Sequence, residues 1–185
     1  MVSSNLAIVF ANNNERTLLI DADLHKPSQQ KAFTASEGPG LSMFLADSAE
    51  AASVIRKTGI PNLDFVSAGR VPLNAPELLG STRMRELIEE ARQNYDRIII
   101  DTPPVSAVSD PLILLPHTDG VVFVIRFNMV RREIALRSIR RLQECEAPLM
   151  GAVINNIDLE GYGFYYHPYQ YLYYYRKTEK VRVDK

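Results

Sequence analysis

Five short apolar, β-branched runs punctuate the chain: Thr17 to Asp21, Leu63 to Ser67, Arg97 to Asp101, Gly120 to Ile125 and Leu149 to Ile154. Runs of this length and character read as strands buried in a parallel sheet. Helical periods lie between them. The opening stretch, Val2 to Asn12, reads as a helix. Met84, Leu87, Ile88 and Ala91 recur at i, i+3, i+4 and i+7, which places four apolar side chains on one face. Asn74 with Glu77 has the spacing of a capping box that would open this helical region. Ile134, Ala135, Ile139 and Leu142 form a second stripe, and Arg131, Arg132, Arg137, Arg140 and Arg141 lie on its other face. A charged face of this kind is ordinarily solvated; an acidic or phosphorylated partner is the alternative. Alternation of strand and helix predicts an α/β fold, a parallel β-sheet flanked by helices on both faces.

The apolar fraction, 46%, suits one globular domain with a full core. A formal net charge of −1 gives no global attraction to nucleic acid or an anionic surface. The single cysteine, Cys145, excludes an internal disulfide. His25, His117 and His167 lack metal-ligand spacing. No apolar run approaches the roughly 20 residues that span a bilayer, and the N-terminus lacks the pattern of a signal peptide.

Composition breaks once, after about Gly161. Eight of the nine tyrosines fall within GYGFYYHPYQYLYYY: Tyr162, Tyr165, Tyr166, Tyr169, Tyr171, Tyr173, Tyr174 and Tyr175. A core spreads its aromatic rings over several elements. Crowding them near one end points instead to the phenol hydroxyl, whose obvious chemistry is phosphorylation. A β-prone segment, a stacking platform for bases and a strand docked on the body are the other readings. The expected division is a body, residues 1–160, and a flexible tyrosine-rich tail, residues 161–185.

Two of the strands end in acid. Leu18-Leu19-Ile20-Asp21-Ala22-Asp23 leads into Leu24-His25-Lys26-Pro27, and Ile98-Ile99-Ile100-Asp101 leads into Thr102-Pro103-Pro104. A parallel strand ending in Asp puts its carboxylate at the sheet edge where open α/β folds bind ligands. A lone Asp there is commonly a cap or turn residue. Two such strands side by side would bring Asp21, Asp23 and Asp101 together, around a hard cation such as Mg²⁺ or a transferable proton.

LLIDADLHKP resembles the Walker A′ motif, and IIIDTPP the Walker B motif, of the bacterial tyrosine kinases. These form part of the deviant P-loop group that includes the MinD/ParA-type ATPases. The resemblance covers nearly the whole chain, through Asn5-Leu6-Ala7-Ile8, Asn74-Ala75-Pro76-Glu77-Leu78-Leu79 and Val153-Ile154-Asn155-Asn156-Ile157-Asp158. It implies a P-loop NTPase-like fold and an ATP- and Mg²⁺-dependent protein-tyrosine kinase that phosphorylates its own tail and regulates capsular or exopolysaccharide biosynthesis. Asp101 would help hold Mg²⁺, largely through its water shell. Of Asp21 and Asp23, one would take the proton of the incoming tyrosine and the other would support the metal, with Asp21 favoured as base. Asn155, with Asn156 beside it, matches the position that reads adenine. The implied partners are a membrane-bound activator of the polysaccharide co-polymerase adaptor type, a ring of unphosphorylated copies, and a cognate tyrosine phosphatase. No nucleic acid is implied. The implied location is cytoplasmic, at the inner face of the membrane through that activator.

The sequence departs from the family in one respect. No GxxxxGK[ST] loop is present, and no glycine precedes Gly38. The expectation is therefore a fragment that binds ATP poorly, with a vacant slot in mid-sheet; a degenerate relative is the alternative. Two further readings stand beside the kinase: a MinD/ParA-like ATPase, and a non-catalytic scaffold or phosphorylation substrate.

Overall fold

The computed structural model describes residues 2–29, 33 and 38–157. The tyrosine run, Tyr162 to Tyr175, and the whole of 161–185 lie outside the described residues. In chain order the elements are α1 (Val2–Asn12), β1 (Thr17–Asp21), α2 (Leu41–Leu45), α3 (Ala51–Val54), β2 (Ile55–Lys57), β3 (Leu63–Val66), α4 (Ala75–Leu79), α5 (Thr82–Asn94), β4 (Arg97–Asp101), α6 (Asp110–Ile113), β5 (Val121–Arg126), α7 (Arg132–Glu144) and β6 (Leu149–Asn155). A turn of 3₁₀ helix, Leu115–His117, follows α6.

Four strands form one sheet in the order β2-β3-β1-β4, and β5 and β6 form a second. Strand β1 lies between β3 and β4, parallel to both. All five of its residues are buried, as the sequence requires of a strand covered on two faces. Leu18 and Ile20 point into a core built with Leu41, Leu79, Met84, Leu87 and Ile88 of α2, α4 and α5. Leu19 points the other way, onto Ala7 and Ala11 of α1 and onto Phe65. The two-residue period of the strand thus assigns its side chains to opposite layers, and helices flank the sheet on both faces as expected.

The apolar period of α5 is buried as predicted, at Met84, Leu87, Ile88 and Ala91. Its start is not. The helical region is two helices, α4 and α5, and Asn74 makes no side-chain cap. The cap belongs to Ser81, whose Oγ accepts from the Met84 amide at 3.4 Å. Gly80 and Ser81 interrupt the run between the two helices, so the capping spacing at Asn74 opens only a helix of little more than one turn. Strand β2 was not anticipated. It pairs antiparallel with β3, and its Ile-Arg-Lys sequence is what an exposed edge tolerates.

In α7 the buried positions are Ala135, Ser138 and Leu142. Ala135 and Leu142 of the stripe read from sequence are thus buried and Ile139 is half-buried, whereas Ile134 is 42% exposed. The arginine face is exposed at Arg131, Arg132, Arg137 and Arg140. Arg141 instead reaches the body, donating from Nη1 to the Val105 carbonyl at 2.8 Å.

Strands β4 and β5 belong to different sheets, and each ends its own as an edge. The β5–β6 pair is thinly covered, with Val122, Val124, Met150 and Ile154 between 42% and 76% exposed.

Candidate active site

The β1–β4 register builds the site. It pairs Thr17 with Arg97 and runs in step to Asp21 opposite Asp101. The ladder continues one residue further, where the Ala22 amide donates to the Asp101 carbonyl at 2.8 Å. Two apolar strands of equal length therefore end in carboxylates side by side.

Each acid has its own set of partners. Asp21 is fully buried. Its Oδ1 accepts from the Asp23 amide and its Oδ2 from the Gln29 amide, each at 3.2 Å. Asp23 is half-buried and closes a turn, its Oδ1 accepting from the amides of His25 at 3.2 Å and Lys26 at 2.8 Å. Asp101 accepts from Ser3 Oγ at 2.7 Å and Gln29 Nε2 at 2.6 Å. Gln29 is itself buried, and its Oε1 accepts from Ser4 Oγ. One glutamine thus touches both strand-end acids and fastens them to the start of α1.

Burial pushes the Asp21 carboxyl up from 3.8 to about 6, against the pull of the Gln29 and Asp23 amides; the charges of Asp101 and Asp23 push in the same direction as burial. Asp101 and Asp23 each lie close enough to Asp21 for their charge to disfavour its ionisation. They do not make a ready-made metal cage. Among the described residues no group of three or more His, Cys, Asp or Glu is arranged to hold an ion. Mg²⁺ does not require one, because it binds through one or two carboxylates and takes its other ligands from water and phosphate. Asp101 fits that role: its two side-chain partners are neutral donors, which compete weakly with a cation for the same oxygens.

The predicted asparagines belong to the other sheet and its exit. Asn155 ends β6 and is exposed; its carbonyl accepts from the Phe127 amide at 2.8 Å. Asn156 follows with a positive φ of 63°. No hydrogen bond among the described residues joins either to the acids. The ninth tyrosine, Tyr95, is structural. Its hydroxyl donates to Asp64 Oδ2 at 2.7 Å, and burial with that acceptor holds the phenol well above its ordinary value.

Sequence reading missed Ser3, Ser4, Gln29 and Asp110. Ser3, Ser4 and Gln29 carry no periodic or motif signal. Asp110 reads as a helix start because Pro111 follows it, yet it is fully buried and its Oδ2 lies 2.8 Å from His25 Nε2. A buried acid with a histidine in reach is visible only in three dimensions.

A parallel sheet sandwiched by helices, with paired acids at its carboxyl edge, defines a P-loop NTPase-like α/β domain. In agreement, the profile of the AAA domain family matches residues 1–144. The tyrosine-protein kinase YwqD of Bacillus subtilis (strain 168) is 38% identical over 166 residues, covering 88% of this chain and 70% of that protein. The kinase domain of the Escherichia coli tyrosine kinase ETK superposes with a TM-score of 0.83 at 36% identity, covering 90% of this chain and 65% of that one. The chain belongs to the bacterial tyrosine kinase family. The septum site-determining protein MinD of Pyrococcus horikoshii OT3, complexed with Mg-ADP, shares the fold at a TM-score of 0.68 and 18% identity, covering 83% of this chain and 63% of that one. The chain spans 24% of the length of the EpsB protein of Ralstonia solanacearum, to which it is 38% identical over 177 residues. No helix of the described residues is long and apolar enough to cross a membrane.

Proposed function

We propose that this chain takes part in ATP-dependent phosphorylation of protein tyrosine, with residues 1–160 as the catalytic body and 161–185 as the acceptor tail. The observation that carries the reading is the placement of Asp21 and Asp101 at the ends of two neighbouring strands, in a chain whose relatives are named tyrosine kinases.

In the proposed reaction a tyrosine hydroxyl oxygen bonds to the γ-phosphorus of ATP. The bond from that phosphorus to the β–γ bridging oxygen breaks, and ADP leaves with the electron pair. The hydroxyl proton passes to Asp21. A carboxylate whose proton affinity is raised to about 6 is a stronger base than a free aspartate and is still mostly ionised near neutral pH. Asp101 and Asp23 would hold Mg²⁺, which supplies charge neutralisation for the transferring phosphoryl group. Gln29 and Ser3 orient Asp101, and the turn through His25 and Lys26 orients Asp23. Asn155 and Asn156 are the proposed adenine contacts, and Tyr162, Tyr165, Tyr166, Tyr169, Tyr171, Tyr173, Tyr174 and Tyr175 the acceptors.

Each phosphate adds a charge of about −1.5 to −2. Phosphates accumulating on a tail held in a neighbour's acidic site would repel that site. Association of unmodified copies in a ring and separation of modified ones follow from this, with a tyrosine phosphatase resetting the cycle. A membrane-bound activator would hold the chain at the inner face of the membrane, where it would act on capsular or exopolysaccharide biosynthesis.

Mass spectrometry of the purified chain incubated with Mg-ATP, alone and mixed with an intact relative, tests the reading. Self-labelling of the tail that is lost in Asp21→Asn and Asp101→Asn supports an enzyme. Labelling only in the mixture makes the chain a substrate. Nucleotide-driven dimerisation with no labelling favours a MinD-like ATPase and overturns the kinase reading.

A further inference from the structure

Asp110 is fully buried at the first position of α6, and its Oδ1 has no hydrogen-bond partner. Its Oδ2 has one, His25 Nε2 at 2.8 Å. A buried carboxylate left half-satisfied is unfavourable, so packing alone does not account for an acid here. Nor is His25 placed for packing, since its side chain is 41% exposed. The pair joins two loops that follow neighbouring strands, one leaving β1 at Asp21 and the other leaving β4 at Asp101.

We propose that His25 is a positioning residue, tethered by Asp110 so that the turn carrying Asp23 keeps its place beside the strand-end acids. A continuous series of contacts runs from the helix to the base. Asp110 Oδ2 accepts from His25 Nε2. The amides of His25 and Lys26 donate to Asp23 Oδ1, and the Asp23 amide donates to Asp21 Oδ1. The anchor is firm, because Leu114 at the end of α6 is buried in the main core. On the turn, Leu24 is buried in the same core, but His25 and Lys26 beyond it are both exposed. Without the imidazole, the stretch whose amides hold Asp23 is fixed to the body only on its Leu24 side. Positioning of this kind matters for phosphoryl transfer, where small displacements of the acids are costly. The catalytic consequence of the tether rests on the kinase reading above; the tether itself does not.

The experiment uses the full chain as the wild type, His25→Ala, His25→Gln and the double variant His25→Ala/Asp110→Asn. Glutamine offers an N–H to Asp110 where the imidazole did. The double variant replaces the carboxyl that His25→Ala leaves without its partner by a neutral amide, which separates loss of the tether from the cost of an unpaired buried acid. Hydrogen exchange of the Lys26 amide is read against the amides of β1 and β4. The tether requires exchange at Lys26 to quicken about tenfold, the loss expected for a hydrogen bond to a charged group, in His25→Ala and in the double variant. It also requires recovery in His25→Gln, with β1 and β4 unchanged throughout. Unchanged exchange at Lys26 in the double variant overturns the proposal, as does failure of glutamine to restore it.

In the labelling assay, His25→Ala should lower kcat/KM for Mg-ATP about tenfold and His25→Gln should restore it, because the tether orients Asp23, one of the proposed Mg²⁺ holders. If the wild type gives no labelling under any condition, the kinase reading fails and the exchange data still decide the tether.

Discussion

Replacing Asp21 by Asn tests the electrostatics of the site without any assay of activity. Asp21 is fully buried and its carboxyl is pushed from 3.8 up to about 6, chiefly by burial. The folded state therefore binds the proton more tightly than the unfolded chain does. Stability from this group is fully present below pH 4 and is lost as pH rises to about 6, since the ionised form must then be kept out of water. A shift of about 2 units corresponds to about 3 kcal/mol. Asparagine carries no such charge. It does lose one of the two acceptor oxygens that now serve the Asp23 and Gln29 amides, at a cost of about 1–3 kcal/mol. That cost is the same at every pH, whereas the ionisation contribution is not. Urea unfolding of wild type and variant from pH 4 to pH 8 separates them. The variant should be no more stable than wild type at pH 4 and should gain on it by about 3 kcal/mol by pH 8, equivalent to a rise of about 6–12 °C in relative Tm for a chain of this size. The rise should centre between pH 4 and pH 6. A difference that stays flat with pH, or one that turns against the variant as pH rises, refutes the claim that Asp21 is held in its place against an ionisation penalty.

The scaffold makes its own predictions. Leu87 is 1% exposed in the main core, so Leu87→Ala should lower the unfolding free energy by about 2–5 kcal/mol, read from the urea midpoint. Ser81→Ala removes the cap of α5 and should cost about 0.5–2 kcal/mol in the same assay, whereas Asn74→Ala, which removes no cap contact, should cost less. A Cβ on Gly40 would lie 2.4 Å from the Gly69 amide nitrogen, and Gly69 has a φ of +79°, so neither backbone yields easily. Gly40→Ala should therefore lower the unfolding free energy by at least as much as a typical overpacked core, about 1–3 kcal/mol, read from the urea midpoint.

The elements that sequence alone fixed are those whose information is local. Helix α1 spans the residues expected of it, and β1 and β4 run to the acids that end them. Met84, Leu87, Ile88 and Ala91 are buried because four apolar residues at helical spacing leave the helix only one face to hide. The acid-ended strands with their flanking prolines were likewise legible, since a motif is a run of neighbours. What failed was what depends on distant partners. The cap fell to Ser81 because the helix breaks at Gly80, a matter of how α4 and α5 pack. Strand β2 exists because β3 offers an open edge to it. In α7 Ala135 and Leu142 are buried as read, but Ile134 is left exposed and Ser138 is taken in, because the surface that receives a helix selects which of its residues are buried.

The same division runs through the site. The sequence named Asp21, Asp23 and Asp101 as acids that would act together. It could not say that Gln29 touches Asp21 and Asp101, that Ser3 also donates to Asp101, or that a histidine outside any metal-ligand pattern lies against a buried Asp110. Strand and helix periodicity are written over a few consecutive residues, so the chain carries them openly. Contacts between residues 3, 29 and 101, or 25 and 110, exist only once the sheet has aligned its strands, and it is that alignment which sets Asp21 and Asp101 side by side.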